Sequence, residues 1–274
     1  MPVKPAIGPA TRLCMSLAAR PGVFGSRFHN RLYELLGLDF VYKAFTTTDL
    51  PAAIGGVRAL GVRGCAISMP FKEAVIALLD RVDGSAAAIE SVNTIVNDDG
   101  RLTGYNTDYI AIAQLLERAG IDPATPFLLR GAGGMAKAVA AALRDRGLVS
   151  GRIIARDETK GRALAEAYGF GWAPTPQGLG AALLINATPL GMKGADEAVL
   201  AFPEAAIARA ETVFDVVALP VETPLLRAAQ QAGKACISGA EVAIIQALEQ
   251  FVLYTGQRPA PEMVAEAARF ARAG

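Results

Sequence analysis

A lysine and an aspartate are the residues of this chain best suited to moving a proton. Lys72 closes the run Ser68-Met69-Pro70-Phe71-Lys72, and Asp108 closes Gly104-Tyr105-Asn106-Thr107-Asp108. A glycine-rich run follows, Gly131-Ala132-Gly133-Gly134-Met135-Ala136. Oxidising a secondary alcohol by hydride transfer needs a group to take the hydroxyl proton, and the reverse reaction needs one to return it. A proton-transfer pair in one segment and a nucleotide-type loop in the next point to a dehydrogenase with its active site between two domains. Ser68 and Asn93 add a hydroxyl and an amide suited to a polyol or hydroxy acid. Each residue alone also has a plainer reading. Lys72 fits a solvated helix lysine, Asp108 the N-cap of a helix over 109–119, and Asn93-Thr94 ordinary turn chemistry.

The rest of the composition narrows the chemistry. The single histidine, His29, rules out a two-histidine metal motif, makes Ser-His-Asp chemistry a poor fit and reads as a core or helix-face residue. Cys14, Cys65 and Cys236 lie far apart without ligand spacing, so no metal site is expected, and the pattern fits reduced thiols in a cytoplasm. With 27 basic and 26 acidic residues and no long basic run, no nucleic-acid footprint is expected. No stretch of about 18 uncharged apolar residues exists to span a membrane. Pro2, Pro5, Pro9 and Arg12 interrupt any secretory core at the start.

The elements that must position these groups read as α/β. Residues 26–36 carry apolar positions at 28, 32, 35 and 36, predicting a helix stopped at Gly37. Phe40–Phe45 alternates like a strand, and Thr48-Asp49-Leu50-Pro51 opens a helix ending before Gly61. Gly64–Ser68 reads as a buried strand, 71–80 as helical, and 94–97 with 102–104 as a hairpin around Asp98-Asp99-Gly100. Beyond a helix over 108–119 and a Pro-containing linker, strands at 127, 152–155, 182–186, 213–217 and 235–237 alternate with helices over 135–146, 159–168 and 223–232. That alternation predicts a parallel sheet with helices on both faces. Helices over 241–255 and 260–272 end the chain. The expected division is a substrate domain over 1–108, rejoined by 241–274, and a dinucleotide domain over 109–240.

Gly131-x-Gly133-x-x-Ala136 sits where a nucleotide loop requires, after an apolar strand and at the start of a helix. The helix start offers N–H donors and a partial positive charge to phosphate. The end of the next strand, where the adenosine ribose is read, carries Arg156, Asp157, Glu158 and Lys160. Acid there suits NAD and base suits NADP; Arg156 at the strand end tips the expectation to NADP, with NAD possible. Arg130, directly before the loop, has no explanation at this level.

Taken together and in order, these motifs resemble the shikimate dehydrogenase family. The resemblance rests on Ser68–Glu73, Glu90–Thr94, Asn106–Asp108, Gly131–Ala138, Asn186–Met192, Glu222–Leu226, and Ser238-Gly239 through Gln246 and Gln250 to Gly256. It implies Lys72 and Asp108 as the catalytic pair, with Ser68, Asn93, Thr107 and Gln246 holding substrate hydroxyls. It further implies a cofactor set of Gly131, Ala132, Gly133, Gly134, Met135, Ala136, Arg156, Lys160, Asn186, Thr188, Met192, Val216 and Gly239. The implied fold is an N-terminal α/β substrate domain plus a Rossmann-type doubly wound nucleotide domain. The implied reaction is the NADP-linked interconversion of 3-dehydroshikimate and shikimate, with quinate or a modified shikimate as rival substrate. A nucleotide-binding sensor without turnover is the alternative of another class. The expected partner is a small cyclic hydroxy acid, bound by a monomer or homodimer.

Two departures bear on the substrate. Family members carry a serine pair shortly before a His-Asn, and here those positions fall on Val23 and Gly25, ahead of His29-Asn30. Ser16 and Ser26 are the hydroxyls placed to substitute. Ala218 stands where the family has a tyrosine. The chain thus looks most like the divergent shikimate-dehydrogenase-like branch. A lost hydrogen bond to the substrate carboxylate weakens binding by about 1.5–3 kcal/mol.

Overall fold

In a computed structural model the described residues, 3–273, fall into two compact units, one up to Thr107 and again from Ile244, the other Asp108–Ala243. The first opens with β1 (Arg12–Leu17), α1 (Phe24–Leu36), β2 (Phe40–Phe45), α2 (Leu50–Ala59) and β3 (Gly64–Ile67). It continues with β4 (Arg81–Val82), a single turn α3 (Gly84–Ala87), β5 (Thr94–Asp98) and β6 (Arg101–Tyr105). These strands make one mixed sheet in the order β2-β1-β3-β5-β6-β4. β1 runs parallel to β2 and β3, and β5 antiparallel to β3 and β6.

Local chemistry accounts for these elements. Helix α1 buries Phe28, Leu32, Tyr33 and Leu35 and ends at Gly37 in the left-handed conformation. Helix α2 begins where the Asp49 carboxylate accepts the Ala52 N–H. One expectation fails. Residues 71–80 form only a 3₁₀ turn, Ala74–Leu78. A continuous α-helix would send the Ile76 N–H to the Lys72 carbonyl, but that carbonyl accepts from Val92 and Ile76 bonds Glu73 instead. Lys72 therefore sits in a turn tied to the residue before Asn93.

The second unit contains α4 (Thr107–Arg118, whose first residue belongs to the first unit), β7 (Phe127–Arg130), α5 (Gly134–Asp145), β8 (Gly151–Ile154) and α6 (Glu158–Tyr168). Then come β9 (Gly171–Ala173), β10 (Leu183–Asn186), α7 (Glu204–Arg209), β11 (Thr212–Asp215), α8 (Pro224–Gln231) and β12 (Ala235–Ser238). All six strands are parallel, in the order β12-β11-β10-β7-β8-β9. This is the Rossmann-type doubly wound sheet, and its strand order reverses between β7 and β10, where such folds bind ligands. The strand expected over 213–217 stops at Asp215, because the Asp215 carboxylate takes the Val217 N–H at 3.1 Å. The short β9 and α7 escaped the sequence pattern, since three and six residues are too few to show a period.

Helices α9 (Gly239–Thr255) and α10 (Pro261–Arg272) close the chain. Ala247, Phe251 and Tyr254 of α9, with Val264, Ala267 and Ala271 of α10, share a core with Phe28, Leu32 and Tyr33. Among the described residues, no helix is long and apolar enough to cross a membrane.

Candidate active site

Asn93 is the organising residue of the first unit's candidate site. It is 1% exposed, just before β5. Its Oδ1 accepts from the Thr107 N–H at 2.8 Å, the Thr94 hydroxyl at 2.8 Å and the Thr107 hydroxyl at 3.1 Å. The backbone N–H can only donate, so it decides which end of the amide is oxygen. The other end, Nδ2, is buried without a hydrogen-bond partner among the described residues. An unmet buried donor is costly in a folded protein, by about 1–3 kcal/mol, and is tolerated where a ligand supplies the acceptor. Gln250 braces the arrangement, its Nε2 lying 3.3 Å from the Asn93 carbonyl and 3.0 Å from the Thr94 hydroxyl.

The proposed proton-transfer residues flank this amide along the chain. The Lys72 carbonyl accepts from Val92, and Asp108 directly follows Thr107. Lys72 is half-buried, and Asp108 is buried in the first turn of α4. Asp108 is the second residue of that helix, so it is not the N-cap that its position suggested. Ser68 lies exposed at the end of β3, and Gln246 is half-buried one turn before Gln250 on α9. Gln250 and Thr94 were absent from the sequence-derived set. The i, i+4 spacing of Gln246 and Gln250, which places both on one helix face, was the signal available for the former.

The end expected to grip a carboxylate has different chemistry. Val23 is the N-cap of α1 and bonds no backbone N–H through its side chain. Gly25 lies beside Tyr42, whose hydroxyl a Cβ there would approach to 3.6 Å. Burial pushes the Tyr42 hydroxyl far up, and a hydrogen bond with Ser16 partly offsets this. Ser16 is therefore engaged with a buried tyrosine. His29 is fully buried, stacked on Tyr42 with ring centroids 4.5 Å apart. Desolvation drives its pKa down to about 3, with the Gln250 side chain acting in the opposite sense. A neutral core imidazole matches the sequence reading.

In the second unit the glycine loop has the geometry of a phosphate cradle. Gly131 has φ +126°, and a Cβ there would come within 2.7 Å of the Ala187 carbonyl oxygen, so only glycine fits. Gly133 has an ordinary φ of −94°, and a Cβ would meet nothing within 4 Å. The fold does not need glycine at 133, and the space beside it is open to a ligand. No side chain caps α5, so its first-turn N–H groups remain available to an anion. Ala132 and Met135 are half-buried in the loop and Ala136 is fully buried against the sheet.

At the neighbouring strand end Asp157 caps α6, accepting the Lys160 N–H at 3.1 Å and facing Lys160 Nζ at 3.6 Å. The acid directly after Arg156 is thus engaged locally, while Arg156 is exposed. Asn186 is fully buried, and its side chain is complete. Nδ2 donates to Asp215 at 3.0 Å and to the Leu190 carbonyl at 3.1 Å, and Oδ1 accepts from the Thr188 N–H and hydroxyl. Asn186 and Thr188 therefore shape the loop through which they would act. Burial pushes the Asp215 carboxyl up, and bonds from Thr223, Val217 and Asn186 pull the other way. Val216 and Gly239 touch, since a Cβ on Gly239 would lie 2.3 Å from the Val216 backbone. Met192 is 46% exposed on the loop after β10. No group of His, Cys, Asp and Glu with metal-holding geometry exists among the described residues.

Residues 23–95 match the family model described as the shikimate dehydrogenase substrate binding domain. The chain is 55% identical to a shikimate dehydrogenase-like protein of Haemophilus influenzae over 263 residues, 96% of this chain and 97% of the relative. The chain belongs to the shikimate dehydrogenase family. Solved family structures agree with the fold. A shikimate 5-dehydrogenase-like protein superposes with a TM-score of 0.96 at 54% identity, covering 97% of this chain and all of that one. Shikimate 5-dehydrogenase of Thermus thermophilus, solved with NADP(H) and shikimate, gives 0.84 at 34% identity, covering 95% and 99%. The match to the like-protein fits the divergent branch that the Val23 and Gly25 positions suggest.

Proposed function

We propose that Lys72 and Asp108 carry proton transfer in this NADP-linked, shikimate dehydrogenase-like oxidoreductase, which interconverts 3-dehydroshikimate and shikimate or a close cyclic hydroxy acid relative. The observation that carries this reading is the Asn93 amide. Its oxygen is fixed by three donors and its buried Nδ2 awaits an acceptor, between a segment tied to Lys72 and a segment leading to Asp108. A substrate hydroxyl or carbonyl oxygen supplies that acceptor. The family resemblance supports Ser68, Thr107 and Gln246 as further hydroxyl partners, with Ser16 near the carboxylate end.

In the oxidising direction the substrate carbon loses a hydride and its hydroxyl loses a proton. The bound nicotinamide supplies the hydride chemistry. Lys72, paired with Asp108, takes the proton and returns it in the reducing direction. Asn93 orients the oxygen so that this transfer has a defined geometry. The bare start of α5 and Gly133 suit the pyrophosphate, and Arg156 with Lys160 suits a 2′-phosphate. The unit containing Asn93 takes the substrate in this reading, and the unit containing the glycine loop takes the dinucleotide. The enzyme works in the cytoplasm as a monomer or homodimer without nucleic acid, a reading supported by its three free cysteines and balanced charge.

Nicotinamide absorbance with shikimate, quinate and both dinucleotides tests the assignment. Lys72→Ala is expected to lower kcat about 10²–10⁴-fold with dinucleotide affinity retained. Turnover surviving that change removes Lys72 from its role. Dinucleotide binding with no turnover of any candidate substrate by the unmodified protein returns the sensor alternative.

A further inference from the structure

Arg130, which the sequence leaves unexplained, is the last residue of β7, and its neighbour in register on β8 is Ile154. The Gly131 N–H bonds the Ile154 carbonyl, so the two strand ends are locked together just before Arg156. Arg130 is half-buried, yet among the described residues its guanidinium makes no ion pair, and its sole side-chain hydrogen bond is from Nη1 to the Ala201 carbonyl oxygen. Among the described residues Arg156 has no carboxylate partner either, and the acid beside it, Asp157, is held by the start of α6 and by Lys160. Arg130 also lines a cavity of about 320 Å³ with Thr175, Gln177, Leu200 and Phe202. Burial, and next the Arg156 charge, disfavour the Arg130 cation. Two guanidinium groups that raise each other's energy without an acid between them are suited to an anion that answers both.

We infer that Arg130 is a further cationic ligand for the 2′-phosphate of the dinucleotide, acting with Arg156 across the ends of β7 and β8. The inference rests on the NADP reading above and adds a residue to it. It also accounts for a guanidinium in front of the glycine loop, at a strand position whose neighbours Leu128 and Leu129 are apolar and buried. A guanidinium offers five N–H donors, and the Ala201 contact leaves most of them for phosphate oxygens.

Equilibrium binding of NADP⁺ and NAD⁺, read by calorimetry without substrate, tests this. Arg130→Gln is expected to weaken NADP⁺ about ten- to hundredfold and to change NAD⁺ by no more than about threefold. Arg130→Lys should retain an intermediate preference for NADP⁺. Equal losses for both dinucleotides would make Arg130 only an anchor for the segment at Ala201 and overturn the inference, as would no loss for either. An unmodified protein that binds NAD⁺ as tightly as NADP⁺ defeats the NADP reading itself, and the inference with it. Should Arg130→Gln not fold, arginine-directed phenylglyoxal labelling of the unmodified protein decides. Protection of both Arg130 and Arg156 by 2′-AMP but not by 5′-AMP supports the inference. Protection of Arg156 alone, or of neither, overturns it.

Discussion

Asn93 and Asn186 are both buried asparagines at strand ends, one in each compact unit, and their side chains are used in opposite ways. Asn186 has both amide hydrogens and its oxygen matched inside the protein, to Asp215, Leu190 and Thr188. Asn93 has an oxygen held by three donors and an Nδ2 held by none. The same contrast recurs at two helix starts. Asp157 closes the first turn of α6, whereas α5 starts at Gly133 with no capping side chain. A completed polar group maintains the fold, and an incomplete one held rigidly in place is preorganised for a ligand.

The contrast breaks most visibly on Asn186. Asn186→Ala leaves the buried Asp215 carboxyl and the Leu190 carbonyl each short of a donor, and is expected to destabilise by about 3 kcal/mol. A urea midpoint unchanged by that substitution would show that the cluster does not support the fold. Asn93→Ala is expected to lower kcat/KM roughly a hundredfold, with a smaller stability loss of about 1–2 kcal/mol from its stranded donors. A stability loss as large as that of Asn186→Ala with kcat/KM intact would make the two asparagines equivalent.

Acid sharpens the comparison, because the two clusters respond with opposite sign. His29 in the first unit has its pKa lowered to about 3. The unfolded chain, titrating near the ordinary histidine value of about 6.5, binds this proton first. The stability from neutral His29 is therefore complete above that value and falls by up to about 1.4 kcal/mol per pH unit below it, towards the folded pKa. Asp215 has its pKa raised, so its folded form holds a proton more readily and its contribution improves as pH falls from the raised folded pKa towards the ordinary aspartate value. As His29 is the sole histidine, its ring proton resonances isolate the first effect. They should remain those of the neutral ring down to about pH 4. A midpoint near the ordinary histidine value would refute the buried placement.

Gly133→Ala should have the smallest effect on the fold and a clear one on ligand. With φ −94° and open space at the Cβ, stability should change by no more than about 1 kcal/mol. Dinucleotide affinity should fall at least tenfold or so, because a methyl group would stand where the phosphate approaches. Denaturation and calorimetry on the same variant separate the two, and unaltered affinity would mean that no ligand needs the space at Gly133.

Much of the architecture was legible along the chain. The apolar run 127–129, the Gly131–Ala136 loop and the helix after it each express a local preference, and together they specify a strand, a turn and a helix start. The Asp98-Asp99-Gly100 hairpin and the Gly37 helix end were equally local. The helix expected over 71–80 was not decided locally. Val92, twenty residues away in sequence, takes the Lys72 carbonyl and prevents the α-helical bond. The end of the strand at Asp215 likewise depended on where one carboxylate pointed.

Residue types and their order by themselves determined the parallel α/β unit, the glycine loop and the family, because these follow from periodicity, glycine stereochemistry and motif spacing. They also carried Lys72, Asp108 and Asn93 as chemically able residues. Only the tertiary structure decided which end of Asn93 is open, that Gln250 and Thr94 hold it, that Asp157 is occupied, and that Arg130 lies beside Arg156 without an acid. Hydrogen-bond completion and charge pairing are properties of groups brought together from distant positions. A sequence supplies the donors and acceptors, and folding determines which of them remain unmatched.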